Sequence, residues 1–220
     1  MNSNLTHIYL MPGLAANPLI FEYIKLPEEK YKIHWLEWQI PEKTETLQDY
    51  AKRMCKFIEH DNIVLLGVSF GGILVQEMSK YIKLKRLFVV SSVKSHHELP
   101  KRLKILKITK AYKILPTQLV GNIDLLAKYA FGETIKKRVD LYKKYLSVSD
   151  KTYLDWSIKQ LVCWDQEEPH SEAIYIHGDK DIIFPHSCVG NCIIIKGGTH
   201  IMVIIKYKWF NENLPKLIES

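Results

Sequence analysis

Ile63-Val64-Leu65-Leu66-Gly67-Val68-Ser69-Phe70-Gly71-Gly72 decides how this chain folds. Four apolar residues in a row leave no polar face, so Ile63 to Leu66 reads as a strand buried on both sides, the pattern of a parallel sheet. From Gly72 to Tyr81 the residues Ile73, Leu74, Met78 and Tyr81 recur at helical spacing. The segment is therefore strand, tight turn and amphipathic helix, with Ser69 at the tip. Glycine flanks such a turn because the backbone at its tip is strained and the neighbouring chain crowds in. A serine displayed in this G-x-S-x-G frame is a candidate nucleophile.

The same reading extends outward. His7 to Met11, Tyr31 to Trp38, Leu87 to Val90, Ala173 to His177 and Cys192 to Ile195 are predicted strands. Asn17 to Leu26, Thr46 to His60 and His200 to Leu217 are predicted helices, the second with a start signal at Thr44 or Thr46. Strands that alternate with helices imply an α/β fold: a mostly parallel sheet of about six strands with helices on both faces. Residues 94–170 interrupt the rhythm with no convincing strand. Leu99 to Leu115, Thr117 to Phe131, Thr134 to Leu146 and Lys151 to Trp164 read as helices there. The expectation is a single domain over 1–220 with a helical lid inserted at about 94–170.

Composition bounds the function. The chain has 220 residues, 47% of them hydrophobic and 25% charged, an ordinary globular balance. No apolar run approaches the ~18 residues of a membrane span. Met1 to His7 has no basic stretch leading into an apolar one, so no signal peptide is expected. Cys55, Cys163, Cys188 and Cys192 form no C-x-x-C pair and read as reduced thiols of a cytoplasmic protein. The net charge of +7 is uneven: residues 94–160 hold 15 Lys or Arg against 6 Asp or Glu, and the rest hold 16 against 18. Such a basic segment suits solvated lid helices, an acidic partner or an anionic lipid surface. No nucleic-acid-binding module is recognisable.

Three sites fall at carboxyl ends of predicted strands, where open α/β sheets bind ligands. Ser69 follows the first, Asp179 and Asp181 follow Ala173 to His177, and His200 follows Cys192 to Ile195. A serine hydroxyl needs a base to take its proton. A neutral histidine does this, and a buried carboxylate fixes its tautomer. Donors for a developing oxyanion are also needed. The backbone amides of Phe70, at the start of a helix, and of Leu14, in the loop after the first strand, are the candidates.

At this point the chain resembles the α/β-hydrolase superfamily, and within it the small lidded esterases and thioesterases. The resemblance rests on Met11-Pro12-Gly13-Leu14, on Gly67 to Gly72, on His177-Gly178-Asp179-Lys180-Asp181-Ile182-Ile183-Phe184-Pro185 and on Gly197-Gly198-Thr199-His200. It implies a triad of Ser69, Asp181 and His200, with Asp181 rather than Asp179 as the acid. It implies hydrolysis of a carboxylic ester or thioester through an acyl-enzyme, with no cofactor or metal. Carrier-protein methyl esterases are among the similar enzymes, so the basic lid suggests an acidic acyl carrier as partner. Pro12-Gly13 stands where His-Gly is usual, and the fold's first two strands have no room before His7. The alternatives are a binding or receptor protein on a hydrolase fold, and a perhydrolase or C–C hydrolase with the same triad.

Other residues take plainer readings. His96-His97 beside Glu98 is not read as a metal site, because adjacent residues do not easily face one ion and no Cys/His cluster shows in the spacing. Trp35, Trp38, Trp156 and Trp164 are expected in the core or lid, with a minority lining an acyl pocket, and Glu167-Glu168 in a solvated loop.

Overall fold

A computed structural model describes residues 5–114 and 144–220. The chain forms β1 (Thr6–Met11), β2 (Tyr31–Trp35), α1 (Leu47–Met54), β3 (Ile63–Val68), α2 (Phe70–Met78), β4 (Arg86–Val90) and α3 (Lys101–Thr109). It continues through α4 (Lys151–Cys163), β5 (Ala173–Gly178), β6 (Ile193–Ile195), α5 (Met202–Ile205) and α6 (Tyr207–Glu219). The six strands make one sheet in the order β2-β1-β3-β4-β5-β6, and every neighbouring pair is parallel.

The strand pattern divides the core into two layers. Tyr9, Met11, Leu65, Val89 and Tyr175 point to one face, where α1, α2 and α4 supply Leu47, Tyr50, Ile73, Leu74, Tyr153 and Leu154. Ile8, Leu10, Val64, Leu66, Phe88, Val90 and Ile176 point to the other, under Phe210, Leu214 and Ile218 of α6. Alternate residues serve opposite faces because successive strand side chains do. Both faces are covered, as an all-parallel sheet requires.

Strand β1 pairs with β2 on one side and with β3 on the other. The chain thus reverses its direction of winding between β1 and β3. The loops leaving these strands at their carboxyl ends flank the crevice where open α/β sheets place ligands. Met11 and Gly67 lie side by side in register, which brings Pro12-Gly13-Leu14 next to Ser69.

Several boundaries differ from the sequence expectation. The helix predicted from Asn17 is a single 3-10 turn, Pro18–Phe21, capped by the Asn17 side chain. Strand β2 ends at Trp35, and Trp35 is 48% exposed rather than in the core. Helix α1 starts at a Thr46 cap as expected but gives way to a 3-10 turn after Met54. Helix α2 is not amphipathic: all nine residues are buried, because α1, α4 and the sheet enclose it, and Tyr81 lies beyond its end. The C-terminal helix is broken at Lys206 into α5 and α6.

The described residues between β4 and β5 contain no strand. Helix α3 has no buried residue, and its Ile105 and Ile108 face solvent. Helix α4 belongs to the core: Trp156 donates its indole N–H to the Glu45 carbonyl at 2.7 Å, and Trp164 donates to the buried Glu77 carboxylate at 2.8 Å. The predicted helix Thr117 to Phe131 and most of Thr134 to Leu146 lie outside the described residues. Among the described residues, no helix is long and apolar enough to cross a membrane.

Candidate active site

Ser69 is held in a conformation that few residues adopt, with φ at 55° and ψ at −120°. This is backbone strain at a non-glycine residue, imposed by its surroundings. Its amide donates to the Val90 carbonyl at 2.9 Å, and its carbonyl accepts from the Ser92 hydroxyl at 2.7 Å. The flanking glycines are required by space. A Cβ on Gly67 would overlap the Gly71 carbonyl, and a Cβ on Gly71 would overlap the Pro12 carbonyl.

The three residues expected from distant motifs meet here. His200 Nε2 lies 2.9 Å from Ser69 Oγ, and His200 Nδ1 lies 2.9 Å from Asp181 Oδ2. An ionised carboxylate only accepts, so Nδ1 carries the proton and donates it. Nε2 is then bare and accepts from the Ser69 hydroxyl. His200 and Asp181 are buried, at 9% and 4% exposure, so bulk water does not compete strongly for these bonds.

Asp181 is fixed from both sides. Oδ1 accepts the Ile183 and Phe184 amides at 2.8 and 3.0 Å. Burial alone would raise its pKa, but the His200 charge and hydrogen bond, the Phe184 amide and His177 outweigh that. The carboxyl stays below its ordinary value. Asp179 points elsewhere: its Oδ1 accepts the Gly197 amide at 2.6 Å and ties two loops together.

His177 is a residue the sequence reading passed over as a strand end. It is 1% exposed, donates Nε2–H to the Phe184 carbonyl at 2.6 Å, and places the same nitrogen 3.4 Å from Asp181 Oδ2. Burial dominates its titration and holds its pKa below the ordinary imidazole value. It pins the loop that carries Asp181. Its signal in the sequence was its place at the head of His177-Gly178-Asp179-Lys180-Asp181.

On the opposite side of Ser69, Gly13 approaches so closely that a Cβ on it would lie 3.3 Å from Ser69 Cβ. The Gly13 carbonyl accepts from the Trp38 indole at 2.9 Å and from the Ala16 amide at 3.1 Å. A trans peptide aims its C=O and its following N–H in opposite directions. Anchoring the Gly13 carbonyl therefore orients the Leu14 amide the other way. Among the described residues, neither the Leu14 nor the Phe70 amide donates to a protein acceptor. Trp38 was expected as core or lid packing or as part of an acyl-pocket lining. It also stacks on Phe70 at 5.2 Å between ring centres and tilts against Tyr153 at 5.2 Å. These rings build an aromatic wall beside the loop.

His96 and His97 do come together, but on Glu167 instead of Glu98. His97 Nε2 lies 2.8 Å from Glu167 Oε2, while Glu98 accepts the Lys94 amide.

No protein-family model matches the chain, and no curated protein matches it. Solved structures do. A bromoperoxidase from Bacillus anthracis aligns over 98% of this chain and 92% of its own at 15% identity, with a TM-score of 0.70. An esterase from Exiguobacterium antarcticum aligns over 98% and 92% at 16% identity, with a TM-score of 0.68. A hydrolase from Pseudomonas aeruginosa aligns over 99% and 91% at 12% identity, with a TM-score of 0.71. The sheet order, the helices on both faces and these likenesses agree: this chain has the α/β-hydrolase fold.

Proposed function

We propose that this protein is a serine hydrolase that cleaves a carboxylic ester or thioester. The unbroken path from Ser69 Oγ through His200 to Asp181, with two contacts of 2.9 Å, supports this most strongly. Ser69 Oγ attacks the acyl carbon while His200 Nε2 takes its proton. The Phe70 and Leu14 amides hold the oxyanion, each worth about 2.7–4 kcal/mol in the transition state. His200 then protonates the departing alcohol or thiol, leaving an acyl group on Ser69. Water, deprotonated by His200, attacks that ester, and Ser69 recovers its proton as the acid leaves. The inserted segment that opens with α3 acts as the lid in this reading, while α4 belongs to the core. Arg102 of α3 supports it by donating to the Ile183 carbonyl at 2.6 Å, which ties the inserted segment to the loop bearing Asp181. The basic charge of that segment favours an acidic acyl carrier as one substrate.

A fluorophosphonate probe tests the proposal. One probe per chain, mapped by mass spectrometry to the peptide holding Ser69, is the expected result, with turnover of p-nitrophenyl esters by the unlabelled protein. Absent labelling, or labelling of another residue, overturns it. The likeness to a bromoperoxidase favours a second reading, in which hydrogen peroxide instead of water attacks the acyl-enzyme and releases a peracid.

Measured from pH 8 to 5, the rate is expected to fall on acidification, because Ser69 needs the His200 lone pair free of a proton. Asp181 stays ionised through that window, because its folded pKa lies below the ordinary 3.8. Its stabilising effect is complete above that value and is lost only as pH falls through the lower folded one. The folded pKa of His177 is likewise depressed from its ordinary 6.5. The stability its neutral form contributes is complete above 6.5 and erodes as pH falls toward its folded value. Rates are therefore read well below the melting temperature at each pH. A flat profile from pH 5 to 8 counts against His200 as the base.

Trp38 gives a separate check on the Leu14 amide. Trp38→Phe keeps an aromatic ring on Phe70 but deletes the hydrogen bond to the Gly13 carbonyl. The expected change is a fall in kcat of about 3- to 10-fold with KM little altered, the effect of losing one ordinary hydrogen bond from the transition state. An unchanged kcat means that the Ala16 amide alone fixes the Gly13 carbonyl and removes Trp38 from the positioning of Leu14.

A further inference from the structure

We infer that His7, His34 and His60 form a binding site for a divalent transition-metal ion of the zinc type, separate from the site at Ser69. The three come from distant parts of the chain. His7 lies on β1, His34 on β2 and His60 in the segment before β3. Parallel pairing brings them together, since Tyr9 stands opposite His34 and His7 opposite Ile63. One ring nitrogen from each lies within 4.8 Å of the other two. The His7 and His60 rings stack at 3.7 Å, and the His34 and His60 rings approach to 4.7 Å.

The chemistry of this set selects the ion. Three imidazoles with no carboxylate among the ligand atoms suit zinc, copper or nickel and not magnesium or calcium. A tetrahedral zinc ion with bonds of 2.0–2.1 Å holds its nitrogens about 3.3 Å apart. Ligand nitrogens within 4.8 Å of one another need to close by at most about 1.5 Å to reach that spacing. His7 Nδ1 and His34 Nε2 already lie 2.9 Å apart and share one proton. To bind the ion, the ring that donates this proton turns a bare nitrogen to the metal and carries its N–H on the other nitrogen, so neutral histidines take it up with no net loss of a proton.

The surroundings also fit. Tyr9 OH lies 2.6 Å from His60 Nδ1 and accepts the Glu59 amide at 3.1 Å, so His60 is held by an outer partner, as metal-binding histidines are. A cavity of about 360 Å³, bordered by Tyr9, His34, Glu59 and His60, gives an entry path and room for a water in the fourth position. All three histidines are half-buried. His7 is four strand residues from Met11, roughly 13 Å along β1 from the loop beside Ser69. An ion here therefore clips β1, the edge strand β2 and the start of β3 together, without touching the reacting atoms. The group His96, His97 and Glu167 also clusters, but its His97 and Glu167 are exposed, and it serves as the internal control.

The test uses the full chain, treated with chelator, dialysed and titrated with zinc chloride by calorimetry at pH 7.5. One ion per chain and a raised melting temperature are expected. Cobalt chloride should give the visible absorption of a tetrahedral ion. His34→Ala and His60→Ala should each weaken zinc binding at least about tenfold. His97→Ala should bind as the wild type does, and hydrolysis of a small ester should be unchanged in all three. His60 lies outside every strand, so its variant keeps the sheet intact, and fluorophosphonate labelling of each variant verifies the fold. No saturable binding overturns the site. So does equal affinity in wild type, His34→Ala and His60→Ala, or a loss confined to His97→Ala.

Discussion

Ser69→Ala is expected to lower ester turnover by roughly 10⁶-fold while leaving the fold unchanged, the scale seen when a triad nucleophile is removed. The size follows from what the hydroxyl does. Without it no acyl-enzyme forms, and water must attack the bound ester directly. The Phe70 and Leu14 amides remain, so a residual rate of about 10³–10⁴ over the uncatalysed reaction should persist. Alanine retains the Cβ, so no new contact arises against Gly13, on which an added Cβ would lie 3.3 Å from that atom. The strained φ of 55° persists as well, because the backbone around it is held by the Val90 carbonyl and the Ser92 hydroxyl. Melting temperature should therefore change little while kcat collapses. Steady-state kinetics beside a thermal melt check this. Turnover within tenfold of wild type would remove Ser69 from the chemistry, and a matching fall in stability would make the loss uninformative about mechanism.

The parts of this site that were legible in sequence are those set by local rules. Gly67, Ser69 and Gly71 announce a turn because only small residues pass there, and the buried run before them has a period of its own. Asp181 and His200 follow strands whose apolar cores are short and well bounded. The Thr46 cap is legible for the same reason, since its oxygen accepts from Asp49 only three residues away. What escaped notice depends on partners far along the chain. Trp38 leaves the sheet to reach Gly13, 25 residues distant, so its run of alternating residues looked like strand to the end. Helix α2 reads as one-sided, yet α1 and α4 close over its polar face, where Gln76 donates to the Val93 carbonyl and Glu77 accepts from Trp164. His7, His34 and His60 have no spacing in common. Only the register of β1 against its two neighbours makes them a cluster.

Asp181→Asn should cost about 10⁴-fold in kcat, the typical loss when a triad carboxylate becomes an amide. The local hydrogen bonds dictate the reason. The Ile183 and Phe184 amides both donate to Oδ1, at 2.8 and 3.0 Å, so an asparagine must turn its carbonyl oxygen toward them. Its NH₂ group then occupies the place of Oδ2, 2.9 Å from His200 Nδ1. Two donors cannot share that contact, so Nδ1 gives up its proton and Nε2 takes one. A protonated Nε2 cannot accept from Ser69, although every heavy atom stays in place. The His177 Nε2–H, 3.4 Å from the same position, meets a donor instead of an acceptor and adds to the misfit. Fluorophosphonate labelling should slow in parallel with kcat, since both need the same proton transfer. The companion variant Asp179→Asn keeps a carbonyl oxygen for the Gly197 amide and should stay within a few-fold of wild type. The larger loss in Asp179→Asn would move the acid to that residue and leave Asp181 as a loop fastener.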